Sequence, residues 1–447
     1  MKRLNDLSEN TFLKLFFLFF SLCFLVAAFF MPDRADMLSG YVRILCSPAK
    51  ASANYFSIGG YAATFLNMGL VGLICTGLYC IPGEKTNHAA TLVTILTTSF
   101  GSWGIHPMNM WPTMLGVLVY CLRKKRPVGN YTNAMLFSTG LAPFVSELML
   151  RYPNREVGCT LTGILLAVAM GLIVGLFLPA GLDHAPRIHK GFAIYSAALP
   201  VGMTAFLLQG FLYRAAGVSI PDAVGDLHVA SPSIANIFCI AVFCAFILIA
   251  LAMGVTFREY YKFFIDPDHV VNVSGIYGNR VFLLNAGLYG LYVLLYYNII
   301  GAEFNGITFG IIFGMLSTCN AGSHPGNVWP IMVGYALASR TSQLVAYLTG
   351  GEFTQYLHVQ AMMVGLCFAN GLTPISDKYG WRYGLLAAVL HYYMVTTVPN
   401  LHGGFCLYNG GFTANLVCIL LLPILEHHFR TKQQRLDMQN GDAVLFE

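Results

Sequence analysis

The sequence predicts an all-α polytopic membrane protein built from two inverted-topology repeats, and three observations lead to this fold class. The 447 residues are 56% hydrophobic and only 10% charged, whereas a soluble domain carries about 25% charged residues. Apolar runs such as 12–31, 159–182 and 234–257 reach the ~20 residues that cross a bilayer as a helix. The third observation is a stretch of thirteen residues that occurs twice.

The repeated stretch has the pattern G-x-H-P-x-N-x-W-P-x-M-x-G and spans residues 104–116 (motif 1) and 322–334 (motif 2). A gapless alignment of 54–116 with 272–334 contains 22 identical residues in 63 positions. Two further paired motifs, G-L-x-P followed by Ser-Glu or Ser-Asp, and H-x-G-F, keep the same order along the chain. The pattern therefore predicts a duplication of nearly the whole chain.

The helices of the first half follow from the apolar runs in order. The first, at 12–31, follows two basic residues, which places the N-terminus in the cytoplasm. An outer loop separates it from a second helix at 58–81. The runs 89–100 and 108–122 flank motif 1 and are each too short for a comfortable crossing, which predicts a broken helix or a re-entrant hairpin. The remaining helices of this half are predicted at 133–150, 159–182, 191–213 and 234–257.

The second half repeats this order, with a broken segment at 306–339. Counting crossings gives about seven helical elements per repeat, or five helices plus a re-entrant hairpin. In either case the helix 275–300 runs opposite to its copy at 58–81. Lys and Arg are concentrated in the loops assigned to the cytoplasm, and both termini are predicted there, with 436–447 expected to be disordered. The predicted division is a first repeat 1–257 (core match 54–213), a second repeat 258–426 (core match 272–425) and a cytoplasmic tail 427–447.

Each motif combines residue types that a lipid-facing helix rarely contains. Gly104 and Gly322 allow a tight chain reversal, and the two Pro residues of each motif lack a backbone donor. Irregular backbone at membrane depth is tolerated only where protein or a water-filled cavity satisfies its polar groups. We therefore expect two tips at which half-helices meet, entering the membrane from opposite sides and lying near its midplane.

Residue chemistry predicts which side chains line a site at these tips. The motif Asn pair offers donors and acceptors for a polar solute, the Trp pair can stack on a substrate or cation, and the His pair can carry a coupling proton. The alternatives are that these residues fix the hairpins through bonds to backbone, and that the Trp pair belongs to an interfacial belt. The predicted substrate-binding residues are Asn67, His106, Asn109, Trp111, Asn285, His324, Asn327 and Trp329.

Two acidic residues, Glu147 and Asp377, each follow a G-L-x-P break. An ionisable group within a membrane predicts a functional role, so both are assigned to proton or sodium coupling; the alternative is a helix end near water. Arg280, inside the helix 275–300, either contacts an anion or extends to the cytoplasmic surface.

With its duplicated H-P-x-N-x-W-P motif and N-x-G-L helices at 67–70 and 285–288, the chain resembles a family of bacterial multi-pass proteins that carry a duplicated membrane domain of unknown function. That family is common in clostridia and their relatives. The resemblance covers most of the chain and implies a bacterial inner-membrane protein, but it supplies no substrate. Nucleobase and anion permeases have a similar seven-plus-seven layout, without a shared motif.

These features predict a secondary transporter of a small polar or anionic solute, with proton or sodium coupling as a hypothesis. A passive channel of the same architecture is the alternative: symmetrical motifs suit a pore, whereas asymmetry at the coupling residues suits a pump. A membrane-embedded metal-dependent enzyme that uses His106 and His324 is a third hypothesis, although we predict no enzyme activity, metal or cofactor. Expected partners are a small-molecule or ion substrate and membrane lipid, not nucleic acid; a homo-oligomer is compatible with the sequence.

Overall fold

The computed structural model describes residues 7–48, 53–83, 85–153, 156–215, 231–266, 269 and 271–440. The regular structure of these residues is helical throughout, and six helices are long and apolar enough to cross a membrane. The predicted all-α polytopic membrane fold is confirmed. The α-helices are α1 (Glu9–Ala28), α2 (Met37–Leu45), α3 (Tyr55–Gly59), α4 (Tyr61–Leu78), α5 (His88–Ser99), α6 (Pro107–Lys124), α7 (Thr132–Ser138), α8 (Ala142–Arg151), α9 (Leu161–His189), α10 (Ala198–Gln209), α11 (Pro232–Ala252), α12 (Phe257–Phe264), α13 (Val273–Ile276), α14 (Asn279–Ile299), α15 (Gly306–Leu316), α16 (Pro325–Thr349), α17 (Gln360–Ala369), α18 (Thr373–Tyr379), α19 (Trp381–Val395), α20 (Pro399–His402), α21 (Asn409–His428) and α22 (Lys432–Gln439).

Equivalent helices of the two halves pack in the same way. In the first half α1 packs along α4, and α6 packs along α9; in the second, α11 packs along α14, and α16 packs along α19. The α7–α8 helix is broken by a 3₁₀ turn at Thr139–Leu141, and its counterpart α17–α18 is broken at Asn370–Leu372. By its packing α11 is the counterpart of α1, although the sequence-based division after residue 257 groups it with the first repeat.

Helices α5 and α15, the first arms of the two broken segments, are joined to the opposite repeat by matching hydrogen bonds. The backbone N–H of His88, at the start of α5, donates to Oδ1 of Asn272 (3.1 Å). At the equivalent position, the backbone N–H of Gly306, at the start of α15, donates to Oδ1 of Asn54 (2.9 Å). The two donor residues, and likewise the two acceptor residues, are separated by the same number of residues that separates motif 2 from motif 1. The contact between the repeats is therefore two-fold symmetric.

Each of these arms also packs against the break in the other broken segment. α5 contacts the 3₁₀ turn Cys319–Ala321, where Asn320 Nδ2 donates to Thr91 Oγ1 (3.0 Å), and α15 contacts the 3₁₀ turn Phe100–Ser102. α5 has 12 residues and is therefore about 18 Å long. The equivalent arms run antiparallel with one break at each end of the pair, which is the arrangement expected of inverted repeats.

The halves are tied together again by the segments that follow α9 and α20. The first segment donates a backbone N–H to the carbonyl of Gly371 (3.0 Å), and the second donates one to the carbonyl of Gly140 (3.0 Å). The rings of Tyr195 and Tyr408 lie on these same two glycines: a Cβ would be 2.5 Å from the Tyr195 ring at Gly371 and 2.1 Å from the Tyr408 ring at Gly140. Only glycine permits this close approach between the halves.

Two sequence-based assignments of local structure are wrong. The helix predicted at 191–213 begins at Ala198, because the residues before it form one of the segments that tie the halves together, and it ends in a π-helical turn, Gly210–Ala215. The tail expected to be disordered from 436 is helical through Gln439, with a capping box at Thr431; residues 441–447 lie outside the described residues.

Candidate functional site

Each motif forms a turn that its own Asn side chain closes. In motif 1, Oδ1 of Asn109 accepts the backbone N–H of His106 (3.0 Å), and Nδ2 donates to the carbonyl of Gly104 (2.9 Å). In motif 2, Asn327 makes the same two bonds, the first to the N–H of His324, each at 2.9 Å. The His residues are the N-caps of α6 and α16, and the following Pro occupies the first helical position, where no donor is needed.

The predicted tight reversal at the two glycines is confirmed by their backbone angles. The φ angle of Gly104 is +77° and that of Gly322 is +99°, a region that residues with a Cβ rarely adopt. The reversal brings the end of each 3₁₀ turn next to the N-terminus of the second arm. Backbone groups without a partner inside a helix are therefore concentrated at these two places, where Asn side chains bind several of them.

Asn67 and Asn285, on neighbouring helices, donate hydrogen bonds to the backbone of these breaks. Nδ2 of Asn67 donates to the carbonyls of Gly101 (2.7 Å) and Ile105 (2.8 Å), on either side of the turn. Asn285 makes the two equivalent bonds, both at 3.0 Å. Both side chains are fully buried, and they hold the broken backbone in place. This arrangement matches the alternative in which polar residues fix the hairpin.

The motifs differ in the third partner of the central Asn. Nδ2 of Asn109 donates to Oγ of Ser146, and Nδ2 of Asn327 donates to Oδ2 of Asp377, each at 2.8 Å. Ser146 and Asp377 are therefore structural equivalents. The sequence comparison had matched Glu147 with Asp377, which is one residue out of register.

Glu147 lies elsewhere. Its side chain is buried, with Oε1 3.5 Å from Nη1 of Arg151 one helical turn later. It therefore faces a cation on its own helix, whereas Ser146 faces the motif. The structure does not bring the two predicted coupling residues to equivalent positions.

Motif 2 gains a second ionisable neighbour that the sequence did not single out. Oδ2 of Asp377 lies 2.6 Å from Nδ1 of His269, forming an Asp–His pair beside Asn327. Nε2 of His269 is buried and makes no hydrogen bond with the described residues. His324 is not part of this pair: its Nδ1 accepts the backbone N–H of Gly326 (3.1 Å). In motif 1, His106 Nε2 lies 3.4 Å from Ser146 Oγ.

Trp111 and Trp329 point away from both turns. They are 39% and 38% exposed, and Trp329 packs against Trp381 with ring centroids 5.8 Å apart. The structure does not bring them together with the motif Asn residues. Their position on the outer surface fits the interfacial-belt alternative.

A half-open cavity of about 550 Å³ lies at the motif 2 end of the molecule. It reaches Ala321, in the break that precedes motif 2, and both the start of α5 and the residues that follow α6 line it. Its walls are mixed, with apolar side chains beside charged and polar ones. The ionisable residues that line it are His88, Arg126, Tyr131, Asp183, His189 and His269.

Among the described residues, the equivalent side chains at the motif 1 end are buried more deeply. Phe137 and Ile194 line the cavity and are half-buried. Their counterparts at the other end, Phe368 and Leu407, are 0% and 3% exposed. The two-fold arrangement of the backbone is therefore not matched by the exposure of these side chains, and this cavity lies at the motif 2 end.

The remaining candidates from the sequence are Arg280, as an anion contact, and a metal site. Arg280, in the first turn of α14, pairs with Glu259 of α12, so its guanidinium has a protein partner. Partial burial acts to raise the pKa of Glu259, but hydrogen bonds from Thr256 and the Arg280 charge hold that pKa below its usual value. Within the described part of the chain, no group of three or more His, Cys, Asp or Glu residues is placed to hold a metal ion.

The predicted site residues therefore form two clusters at opposite ends of the α5–α15 pair. One contains His106, Asn109 and Ser146, and the other contains Asn327 and Asp377 together with His269. Sequence reasoning missed Ser146 and His269. A gapless continuation from the G-L-x-P motifs would have paired Ser146 with Asp377, but no local pattern marks His269.

Comparison with known proteins identifies a family but no activity. A family model described as "Protein of unknown function (DUF1576)" matches the chain twice, over residues 33–214 and 252–427. The double match agrees with a duplicated domain. No curated protein and no solved structure matches the chain.

Proposed function

We propose that this chain, which belongs to the DUF1576 family of proteins of unknown function, is a secondary transporter of a small polar or anionic solute. The observation that carries the proposal is the antiparallel α5–α15 pair with a helix break at each end and a cavity that reaches only one break. Inverted repeats with discontinuous helices are the architecture in which many secondary transporters bind solute. We further propose a bacterial inner-membrane location with cytoplasmic termini.

The broken segments support this function if they are re-entrant hairpins. His88, at the start of α5, and Arg126, just after α6, line the same cavity, so both arms of the hairpin open toward one end. An arm of about 18 Å is also shorter than the ~30 Å hydrocarbon core. On this proposal each hairpin enters from one surface and places its motif inside the membrane.

The contrast between the two ends favours a transporter over a channel. A passive pore needs a path that is open at both ends at once, whereas a transporter opens one end at a time. The buried Phe368 and Leu407, opposite the half-buried Phe137 and Ile194, fit the second case. We propose that the repeats exchange these two arrangements, which their related backbones permit.

The lining of the cavity supports a solute that carries both hydrogen-bond acceptors and hydrogen-bond donors. Arg126 offers fixed donors for an anionic group, while Asp183 and Asn133 offer acceptors. A volume of about 550 Å³ is in the usual range for small-molecule sites. This favours a small anion or zwitterion over a large lipid-like solute.

Transport can be tested in proteoliposomes with a panel of labelled organic acids, amino acids and nucleobases. We expect uptake of at least one class, and accelerated exchange when unlabelled solute is present inside. Ala134 lines the cavity on α7, so the A134W indole should fill part of it and reduce uptake at least ~10-fold. L165W is the matched control, because Leu165 is exposed on the outer face of α9.

Three outcomes would contradict the proposal. The first is flux no greater than that of protein-free liposomes for every solute. The second is equal flux through A134W and the wild type. Flux that rises linearly with concentration and shows no exchange acceleration would favour the passive channel instead.

A further inference from the structure

We propose that the coupling ion of the transporter is a proton, and that its binding site is the imidazole of His269, held by the carboxylate of Asp377. This inference rests on the proposed transport function. It replaces the predicted pair of coupling carboxylates with a single Asp–His site at one end of the molecule.

The geometry gives each nitrogen of His269 a separate role. Nδ1 lies 2.6 Å from Oδ2 of Asp377; because a carboxylate only accepts, Nδ1 carries the hydrogen and donates it. Nε2 then has a free lone pair, is buried without a hydrogen-bond partner among the described residues, and belongs to a ring that lines the cavity. A hydronium ion in the cavity can transfer its proton to Nε2, which leaves water and an imidazolium–carboxylate pair.

The same carboxylate connects this site to motif 2. Oδ2 of Asp377 also accepts from Nδ2 of Asn327, the side chain that closes the turn. Without the extra proton the pair carries one negative charge beside the N-terminus of α16; with it, the pair is neutral. Proton binding therefore changes the charge at the break that faces the cavity. In motif 1 the equivalent position is Ser146, so no such change occurs there.

The surrounding charges favour His269 over its neighbours as the proton site. His88 and His324 are both close enough to interact with it electrostatically, but among the described residues only His269 forms an ion pair with a carboxylate in this group of rings. A proton on His269 therefore discourages a second proton on either ring. The other charged or titratable groups of the described residues that interact with His88 or His324 or line the cavity are Glu9, Arg126, Tyr131, Asp183, His189 and Lys432.

Glu147 is less suited to this role. Its carboxylate is buried beside Arg151, and a fixed cation in the same helix favours the charged carboxylate over the protonated acid. It also lies on α8, whereas the cavity wall is formed by other elements. The structure gives it the role of an internal ion pair.

The transport test uses a solute found in the proteoliposome screen and compares H269Q and D377N with the wild type. In both variants, accumulation driven by a pH gradient should fall relative to the rate of solute exchange measured at equal pH, because only accumulation requires net proton movement; this ratio allows for any effect of the substitution on solute binding. H184Q, at an exposed position, and D437N, at a half-buried position on α22, are matched controls outside the cavity lining and should accumulate solute as the wild type does. Monodisperse purification in detergent establishes that each variant is folded.

A second measurement needs no solute. In protein with ¹⁵N-labelled histidine, the signal absent from H269Q identifies His269. Its Nε2 should gain a proton as the pH is lowered, whereas Nδ1 keeps its hydrogen. In D377N the Nδ1–H of His269 faces an amide instead of a carboxylate, so its ¹⁵N and proton chemical shifts at a fixed pH should differ from those of the wild type.

The outcomes separate this inference from the proposed function. If the wild type moves no solute, the transporter proposal fails, and the NMR titration still decides whether the pair binds a proton. If accumulation follows a sodium gradient alone, or if H269Q still accumulates solute with a pH gradient, the proton site is wrong and transport stands. A His269 signal that does not change with pH also overturns the inference.

Discussion

Motif 1 and motif 2 have the same turn but different chemical surroundings. In both, an Asn side chain bonds the N-cap backbone and a glycine carbonyl, and an Asn from a neighbouring helix holds the carbonyls of the break. Only motif 2 adds a carboxylate and an imidazole, and only motif 2 adjoins the cavity. The shared bonds therefore build the break, and the unshared residues are the candidates for function.

This comparison also explains why duplication alone does not locate a site. After a duplication, residues that both copies need for folding stay alike, and they produce the visible motif. A residue used for one task by one copy leaves no repeated pattern. Asp377 and His269 belong to this second class, whereas Asn109 and Asn327 belong to the first.

The largest effect is expected from S146D, which gives motif 1 the carboxylate of motif 2. Ser146 is 1% exposed, and the neighbouring imidazole of His106, with Nε2 3.4 Å from Ser146 Oγ, is itself buried, so burial disfavours a charge on either group. An uncompensated buried charge should cost about 3–5 kcal/mol, measured by unfolding in detergent. The reciprocal D377S should remain folded, because in motif 1 the hydroxyl of Ser146 accepts the equivalent hydrogen bond from Asn109. Equal stability of S146D and the wild type would show that the two surroundings are interchangeable.

The next effect concerns the shared bonds at the breaks. N67A and N285A each leave two buried carbonyls without their donor, for an expected loss of about 2–4 kcal/mol per variant. The losses should be similar, because each variant loses two bonds to carbonyls; N285A also removes the acceptor of the Tyr260 hydroxyl (3.3 Å) and should lose slightly more. N298A, at an exposed position of α14, is the control. A large loss at one position and none at the other would contradict a common structural role.

A smaller loss is expected where the halves approach through glycine. G140A and G371A each place a methyl group against a Tyr ring of the other half, for an expected cost of about 1–3 kcal/mol. G77A is the control: nothing lies within 4 Å of a Cβ there, and replacing a helical glycine should gain about 0.5–1 kcal/mol. Denaturant midpoints of the three variants test this. If G140A and G371A matched G77A, the close approach would not exist.

The smallest effect concerns the exposed Trp pair. W111L should change the stability in detergent little, whereas W329L should lose about 0.5–1 kcal/mol because it also loses the contact with Trp381. Neither variant should reduce solute uptake at saturating concentration. A selective loss of uptake in both would restore the Trp pair to the binding site.

The sequence by itself determined the membrane class, the duplication and the presence of a break at each motif. These properties depend on the length of apolar runs and on the local backbone chemistry of Gly and Pro, which are readable along the chain. It also predicted the opposite orientation of the repeats, because that follows from counting crossings.

Only the tertiary structure decided which side chains meet at the breaks. Asn327 and Asp377 are 50 residues apart, and His269 is 108 residues from Asp377; no local pattern encodes such contacts. The outward position of the Trp pair depends on which face of α6 and α16 is covered by other helices. The one-sided cavity has the same origin: related sequences build both ends, but the packing of whole helices determines which end is open.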